Sequence, residues 1–318
     1  MFDVSTLSKE QIFVELSAQL PVETVLRHDE PLAKKTTLRV GGSADIYVEP
    51  ISENGLSRVI QFCGTHEVPF MILGRGSNLL IRDGGIRGVV VCLSHPSFSK
   101  IEIDNNLMRC GAGAKLKNIS VEARRNLLSG LEFLEGIPGS LGGALRMNAG
   151  AMGKATFDVV EKIRFMDFAG EIHERPVAEV SATYRCCPLF KNHIALGAVL
   201  CGEASSKEFI AERMDAFSQK RWASQPKEPS AGCIFKNPES IGAGKLIDEL
   251  GLKGMKVGGA VVSDVHGNFI VNDGTATGRD VLDLIESVKA RVREAWGIEL
   301  HTEVEIIGEE KLTTDEHG

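Results

Sequence analysis

The residue types most able to do chemistry gather in Gln225-Pro226-Lys227-Glu228-Pro229-Ser230-Ala231-Gly232-Cys233-Ile234-Phe235-Lys236-Asn237-Pro238. Three prolines fix φ and remove backbone donors, so the stretch cannot be a helix interior or a central strand. Ser230-Ala231-Gly232 then lets another group approach the backbone before one thiol is presented at Cys233. A lone thiol is either a small buried hydrophobe or a reactive group. Arg185, in Tyr184-Arg185-Cys186-Cys187-Pro188, also has two readings: a surface charge, or a bidentate clamp for a carboxylate. Spacing alone leaves both questions open.

Two glycine-rich stretches could cradle a ligand. In Gly74-Arg75-Gly76-Ser77-Asn78 the glycines permit unusual φ values, so successive N–H groups can converge on an anion, and Ser77 and Asn78 add donors. Leu79 stands where a dinucleotide fingerprint needs its third glycine, and no Walker lysine follows, so neither Rossmann nor P-loop binding is indicated. The second run, from Gly136 to Gly153, holds six glycines separated largely by apolar residues. That composition suits backbone pressed against a flat ligand or a neighbouring strand, not a flexible linker.

Elements that would position these residues can be read from periodicity. Ser8 with Gln11 forms a capping-box pattern ahead of Ile12, Phe13, Leu16 and Leu20, which predicts a helix ended by Pro21. Strands are expected at 44–49, 69–73 and 89–93, with a helix over 53–66, giving a β-α-β unit with parallel pairing. Helices are expected over 207–224, 245–250 and from the Thr277/Asp280 cap onward; strands at 257–262, 268–271 and 300–306. Glu303 and Glu305 would share a strand face, usually a solvated one. His266 and His301 have no metal-ligand spacing and read as structural imidazoles, so no metal is expected.

Bulk properties narrow the class. The 318 residues are 43% hydrophobic and 25% charged, ordinary for a soluble globule of two or three domains. A net charge of −7 supplies no basic excess for nucleic acid or an anionic membrane. Seven scattered cysteines without a CxxC pair suit a reducing compartment. With no apolar leader after Met1 and no long apolar run, the expected location is cytoplasmic. The residues after Glu309 read as a polar, disordered tail.

Taken together, five stretches in order resemble the UDP-N-acetylmuramate dehydrogenases, also called UDP-N-acetylenolpyruvoylglucosamine reductases. They are Thr37-Leu38-Arg39-Val40-Gly41-Gly42; Leu73-Gly74-Arg75-Gly76-Ser77-Asn78-Leu79-Leu80; Gly136-Ile137-Pro138-Gly139-Ser140-Leu141-Gly142-Gly143 with Asn148-Ala149-Gly150; Ser230 to Pro238; and Glu303-Val304. The resemblance spans about Thr36 to Gly308 and is closer to the shorter, type II branch. It implies an α+β protein with an FAD-binding fold of the vanillyl-alcohol-oxidase type in two subdomains, plus a smaller α+β C-terminal substrate-binding domain. The expected division is an N-terminal helix in 1–30, an FAD-binding domain over 31–205 split near 95, a substrate domain over 206–308 and a tail over 309–318.

The same resemblance implies non-covalent FAD held by Gly74, Arg75, Gly76, Ser77, Asn78, Leu79, Gly136, Ile137, Gly139, Ser140, Gly142, Gly143, Asn148, Ala149 and Gly150. NADPH would supply the hydride, and a nucleotide sugar, UDP-N-acetylglucosamine enolpyruvate, would receive it. Arg185 and Glu303 match residues that stabilise the negative charge formed on the substrate, and Cys233 stands where the family often has a serine proton donor. Arg221 and Asn237 match UDP-sugar contacts, with Tyr184 and Gln225 lining the same pocket. Cys187 is a second departure from serine. The implied protein is a monomeric enzyme of peptidoglycan precursor synthesis. Another flavin-dependent oxidase or dehydrogenase of the same fold is the alternative; a flavin-binding interaction protein would leave Cys233, Arg185 and Glu303 without purpose.

Overall fold

Where the chain turns helical, a side-chain cap often marks the start. The computed structural model describes residues 7–239 and 241–311. In it, Ser8 Oγ accepts from the Gln11 N–H at 3.3 Å and Gln11 Oε1 accepts from Ser8 N–H at 2.8 Å, opening α1 (Lys9–Gln19). Ser52 Oγ accepts from Gly55 N–H at 3.1 Å and opens α2 (Glu53–Thr65), which buries Leu56, Val59, Ile60 and Cys63 as one stripe. Burial pushes the Cys63 thiol up to about 12, marking it as a packing group. Further helices are α3 (Leu116–Arg125), α4 (Leu141–Met147), α5 (Lys207–Ser224), α6 (Ala243–Glu249) and α7 (Gly278–Trp296). Among the described residues no helix is long and apolar enough to cross a membrane.

The chain forms two compact units, each built from separated stretches. One comprises the stretch ending at His28, Ile46–Arg75 and Gly88–Arg221; the other comprises Asp29–Asp45, Gly76–Arg87 and the chain from Trp222 onward.

In the first unit, strand Phe70–Leu73 pairs parallel with strand Ile86–Cys92, which intervenes between it and strand Ser43–Glu49, so the two strands flanking α2 are not direct neighbours as the β-α-β reading would suggest. Its larger sheet is antiparallel and has no counterpart among the expected elements. The order is Ile172–Pro176, Val160–Met166, Ile194–Cys201, Leu107–Gly111 and Ile101–Asp104. One core cluster includes Met108, Leu116, Phe133, Leu145, Phe165 and Leu200; another includes Leu16, Ile46, Leu56, Val89 and Leu196.

In the second unit, α6 and α7 bury Leu246, Ile247, Val281, Leu284, Ile285 and Val288 with Ala260, Val262 and Ile270 of an antiparallel sheet. That sheet runs Ser230–Cys233, Phe269–Asn272, Ala260–Val262, Lys256–Val257. The expected single strand over 257–262 is instead a hairpin, because Gly258 takes φ 52° and turns the chain back. The expected strand over 300–306 is confined to Glu305–Ile307, which pairs parallel with Leu79–Ile81. Glu309 is tied in place by backbone hydrogen bonds with Gly84 and Gly85. The expected tail beyond 311 and the N-terminal residues up to 6 lie outside the described residues.

Helix α7 depends on its first turn: Thr277 Oγ1 accepts from Asp280 N–H at 3.1 Å, and the Asp280 carboxylate accepts from Thr277 N–H at 2.9 Å. Thr277→Ala should cost the second unit about 1 kcal/mol. The expected signal is a lower urea midpoint for the α7 amides in hydrogen exchange, with the first unit unchanged.

Candidate active site

Cys233 ends a strand whose pairing is irregular. Ser230 pairs with Val271 and Cys233 with Phe269, with a bulge between them. Gly232 supplies the φ of 79° that the bulge requires. Cys233 is neither buried nor exposed, and none of the seven cysteines is in a disulfide. Beyond the thiol the chain is held from two sides. Ile234 N–H donates to the Asn268 carbonyl at 2.9 Å, while the Ile234 carbonyl accepts from Glu303 N–H at 2.8 Å. Phe235 bridges to Thr302, and Lys236 N–H donates to the His301 carbonyl at 2.8 Å. Glu303 is thereby fixed beside the residue that follows the thiol. Asn78 joins them: its Nδ2 donates to the Glu303 carbonyl at 3.2 Å and its carbonyl accepts from Glu305 N–H at 3.0 Å. Both Glu303 and Glu305 are half-buried, so the solvated-face reading does not apply.

The glycines divide by reason. Gly76 takes φ 58°, and its carbonyl accepts from Thr37 N–H at 3.3 Å, which joins the Thr37–Gly42 stretch to the Gly74–Asn78 turn. Gly142 packs on Ala112, where an added Cβ would meet Ala112 Cβ at 3.1 Å, and its N–H donates to the Ala112 carbonyl at 2.8 Å. Gly150 lies against the opposite strand, with a hypothetical Cβ 2.6 Å from the Lys154 carbonyl. Met152 and Gly153 take φ 54° and 81° and make the two-residue turn between those strands.

Gly74 and Gly143 differ. Both are exposed and flank the buried Ser140, whose Oγ would lie 3.1 Å from a Cβ on Gly74 and 3.9 Å from one on Gly143. Gly136 has no neighbour nearer to such a Cβ than 3.9 Å. Bare backbone on either side of a hydroxyl is a donor set and a space that fit the phosphates or flat ring of FAD.

Arg185 belongs to the first unit, in a tight turn. Thr183 and Cys186 exchange backbone hydrogen bonds of 2.8 and 3.2 Å, Arg185 takes φ 55°, and its guanidinium lies 5.0 Å from the Tyr184 ring centroid. The glycine run holds this turn. Asn148, left-handed at φ 40° where it closes α4, donates from Nδ2 to the Thr183 carbonyl at 3.1 Å; its Oδ1 accepts from Phe157 N–H at 3.2 Å. Ala149, next to it, accepts both the Thr156 N–H and hydroxyl, the latter at 2.7 Å. Cys187 is buried with its thiol shifted up by desolvation, a packing position.

Arg221 donates to the Glu135 carbonyl at 3.4 Å, and burial pulls its guanidinium below its usual value. Asn237 is exposed, and its Oδ1 accepts from Ala243 N–H at 3.0 Å, closing the loop into α6. Gln225 is half-buried in the second unit and Tyr184 exposed in the first. His266 Nδ1 accepts from Asn268 N–H at 3.1 Å and burial lowers its pKa, which is the structural role expected of it.

Two residues have no place among the sequence-based candidates. Asn268 is 2% exposed; its Oδ1 accepts from Phe235 N–H and its Nδ2 donates to the Phe235 carbonyl, both at 2.8 Å. Asn272 is 4% exposed and donates to the carbonyls of Leu38 and Arg39 at 3.1 and 3.3 Å. A signal exists in the sequence: asparagines bracketing the apolar Phe269-Ile270-Val271 must find partners when buried.

The description "FAD binding domain" matches residues 44–175, and "UDP-N-acetylenolpyruvoylglucosamine reductase, C-terminal domain" matches residues 225–307. Fold and matches together define a flavoprotein oxidoreductase, an α+β chain with an FAD-binding fold of the vanillyl-alcohol-oxidase type and a smaller C-terminal α+β part. The UDP-N-acetylenolpyruvoylglucosamine reductase of Listeria innocua is 44% identical over 298 residues, 93% of this chain and 99% of the relative. That of Clostridioides difficile is 41% identical over 306 residues, 96% of this chain and all of the relative. The crystal structure of the enzyme (MurB) from Thermus caldophilus has a TM-score of 0.77 at 38% identity, covering 89% of this chain and 98% of that one. The chain belongs to the UDP-N-acetylenolpyruvoylglucosamine reductase family.

Asn148→Ala removes the partners of Phe157 N–H and the Thr183 carbonyl and puts a poor residue in a left-handed position. The expected cost is about 1–3 kcal/mol, measured as a fall in melting temperature, with faster hydrogen exchange over 183–187.

Proposed function

We propose that this enzyme reduces the enolpyruvyl ether of UDP-N-acetylglucosamine enolpyruvate to UDP-N-acetylmuramate at the expense of NADPH, in peptidoglycan precursor synthesis. The observation that carries this reading is the fixed adjacency of Cys233 and Glu303 across the Ile234 carbonyl, within a chain of this family. When bound, FAD would supply the hydride chemistry that links NADPH to the methylene carbon of the substrate. Gly74, Gly76, Gly136, Ser140 and Gly143, with Arg75, Ser77, Ile137 and Gly139 beside them, would hold it non-covalently. The expected domains, 31–205 for FAD and 206–308 for the nucleotide sugar, are part of the same proposal, as are a monomeric state and a cytoplasmic location.

The work left to this chain's own residues is electrostatic and protonic. Hydride arrival leaves negative charge spread from the α-carbon into the substrate carboxylate, and that charge needs donors already in place. Arg185, with a planar fork of donors, would bind the carboxylate and spread its charge; Glu303 would assist the same stabilisation. Cys233 would then give its proton to the α-carbon. A thiol with an ordinary pKa of about 8.5 is mostly protonated at neutral pH and far more acidic than an alcohol. The thiol must rest protonated here, unlike a nucleophilic cysteine. Arg221 and Gln225 would take the nucleotide-sugar end, with Tyr184 lining the pocket. Asn237, its side-chain oxygen already occupied, would contribute through its amide nitrogen.

Stopped-flow absorbance separates the two half-reactions. Cys233→Ala should leave flavin bleaching by NADPH intact and abolish reoxidation by the enolpyruvyl substrate, while Cys233→Ser retains substantial turnover. Normal reoxidation in the alanine variant would remove Cys233 from the proton step. Arg185→Lys keeps the charge but loses the fork, and kcat should fall by about 10²-fold or more; near-native turnover would refute the clamp.

A further inference from the structure

The structure assigns Asn268 as a positioning residue that holds Cys233 and Glu303 in working register, an inference that rests on the roles proposed for those two side chains. The main-chain ladder between the strands Ser230–Cys233 and Phe269–Asn272 has its last pair at Cys233 and Phe269. A thiol at the end of a ladder would fray with it. Asn268 prevents this by extending the pairing with its own side chain. Its backbone carbonyl takes the Ile234 N–H, and its amide then takes both the N–H and the carbonyl of Phe235, at 2.8 Å each. The side chain does what one more strand residue would do, at a point where the chain turns through His266 and Gly267 and no strand is available.

The same clamp reaches Glu303. The residue that Asn268 grips at Ile234 is the one whose carbonyl accepts from Glu303 N–H at 2.8 Å, and Phe235 bridges to Thr302. Asn268 thus fixes one short segment from which the proton donor departs on one side and the charge-stabilising glutamate is hung on the other. Its amide is buried and doubly bonded, and His266 Nδ1 fixes its backbone N–H at 3.1 Å. Aspartate cannot substitute for it, since a carboxylate would face the Phe235 carbonyl with no proton to donate.

The test uses the holoenzyme with FAD bound. In Asn268→Asp and Asn268→Ala, flavin reduction by NADPH should stay within about threefold of native, while reoxidation by the enolpyruvyl substrate should slow about 10–100-fold. Equal slowing of both half-reactions would overturn the assignment. Asn268→Ser, which keeps one hydroxyl, covers the case in which the other two lose FAD, and should give an intermediate defect in reoxidation alone. Hydrogen exchange over 233–236 and 301–304 provides a readout independent of substrate: both segments should exchange faster in Asn268→Ala while α7 does not. Native protein that fails to oxidise NADPH with the enolpyruvyl substrate would defeat the proposed function; unchanged exchange in those segments would defeat the positioning role.

Discussion

A buried peptide group must have partners, and the peptides at Ile234 and Phe235 meet that requirement in only one way. Phe235 is 1% exposed and Ile234 fully buried, yet the strand that should pair with them has already turned away. Their donors and acceptors are met by an asparagine on one side and by residues 301–304 on the other. An unmet group would cost about 1–3 kcal/mol, so the segment has one favourable arrangement. Accuracy in placing the thiol comes from satisfied hydrogen bonds, with the apolar core behind it supplying the burial that makes an unsatisfied one costly.

A similar division of labour runs through the glycine-rich stretch. Gly142, Gly150 and Gly153 are accounted for by close packing and by a turn, whereas Gly136 and Gly143 have no neighbour nearer than 3.9 Å to an added Cβ. Glycine count alone therefore overstates the share of the run given to a ligand. The run also braces, through Asn148, the turn that carries Arg185. The glycine run and the turn that carries Arg185 thus share one support within the first unit.

Much of this is legible in the chain. Caps at Ser8 and Thr277 and the apolar spacing of α2 and α7 predict helices that the structure contains, because those signals are local. The antiparallel sheet over 101–201 escapes such a reading, although Ile101 and Ile103 alternate with polar residues and Asn105 turns the chain at φ 55°. Strand pairing is non-local and its individual segments are short. The hairpin at Gly258 is hidden because two apolar strands with two glycines between them read as one apolar run. Cys233 and Glu303 are 70 residues apart in sequence, and only the family resemblance links them; the backbone bonds that make them neighbours carry no signature in residue type. Asn268 is the reverse case, a polar residue whose place beside an apolar strand announces that it needs a partner.

The interleaving of the two units also bears on biosynthesis. Leu38, Val40 and Leu80 belong to a core completed by Val281, Leu284 and Val288, about 200 residues later in translation. At ribosomal rates of about 5–20 residues per second, those early apolar side chains wait roughly 10–40 s for their neighbours. Throughout that interval Leu79–Ile81 lacks the parallel partner that Glu305–Ile307 will provide, and an orphan strand edge invites foreign chains. The strand Leu79–Ile81 thus stays unpaired in the nascent polypeptide until Glu305–Ile307 has left the ribosome.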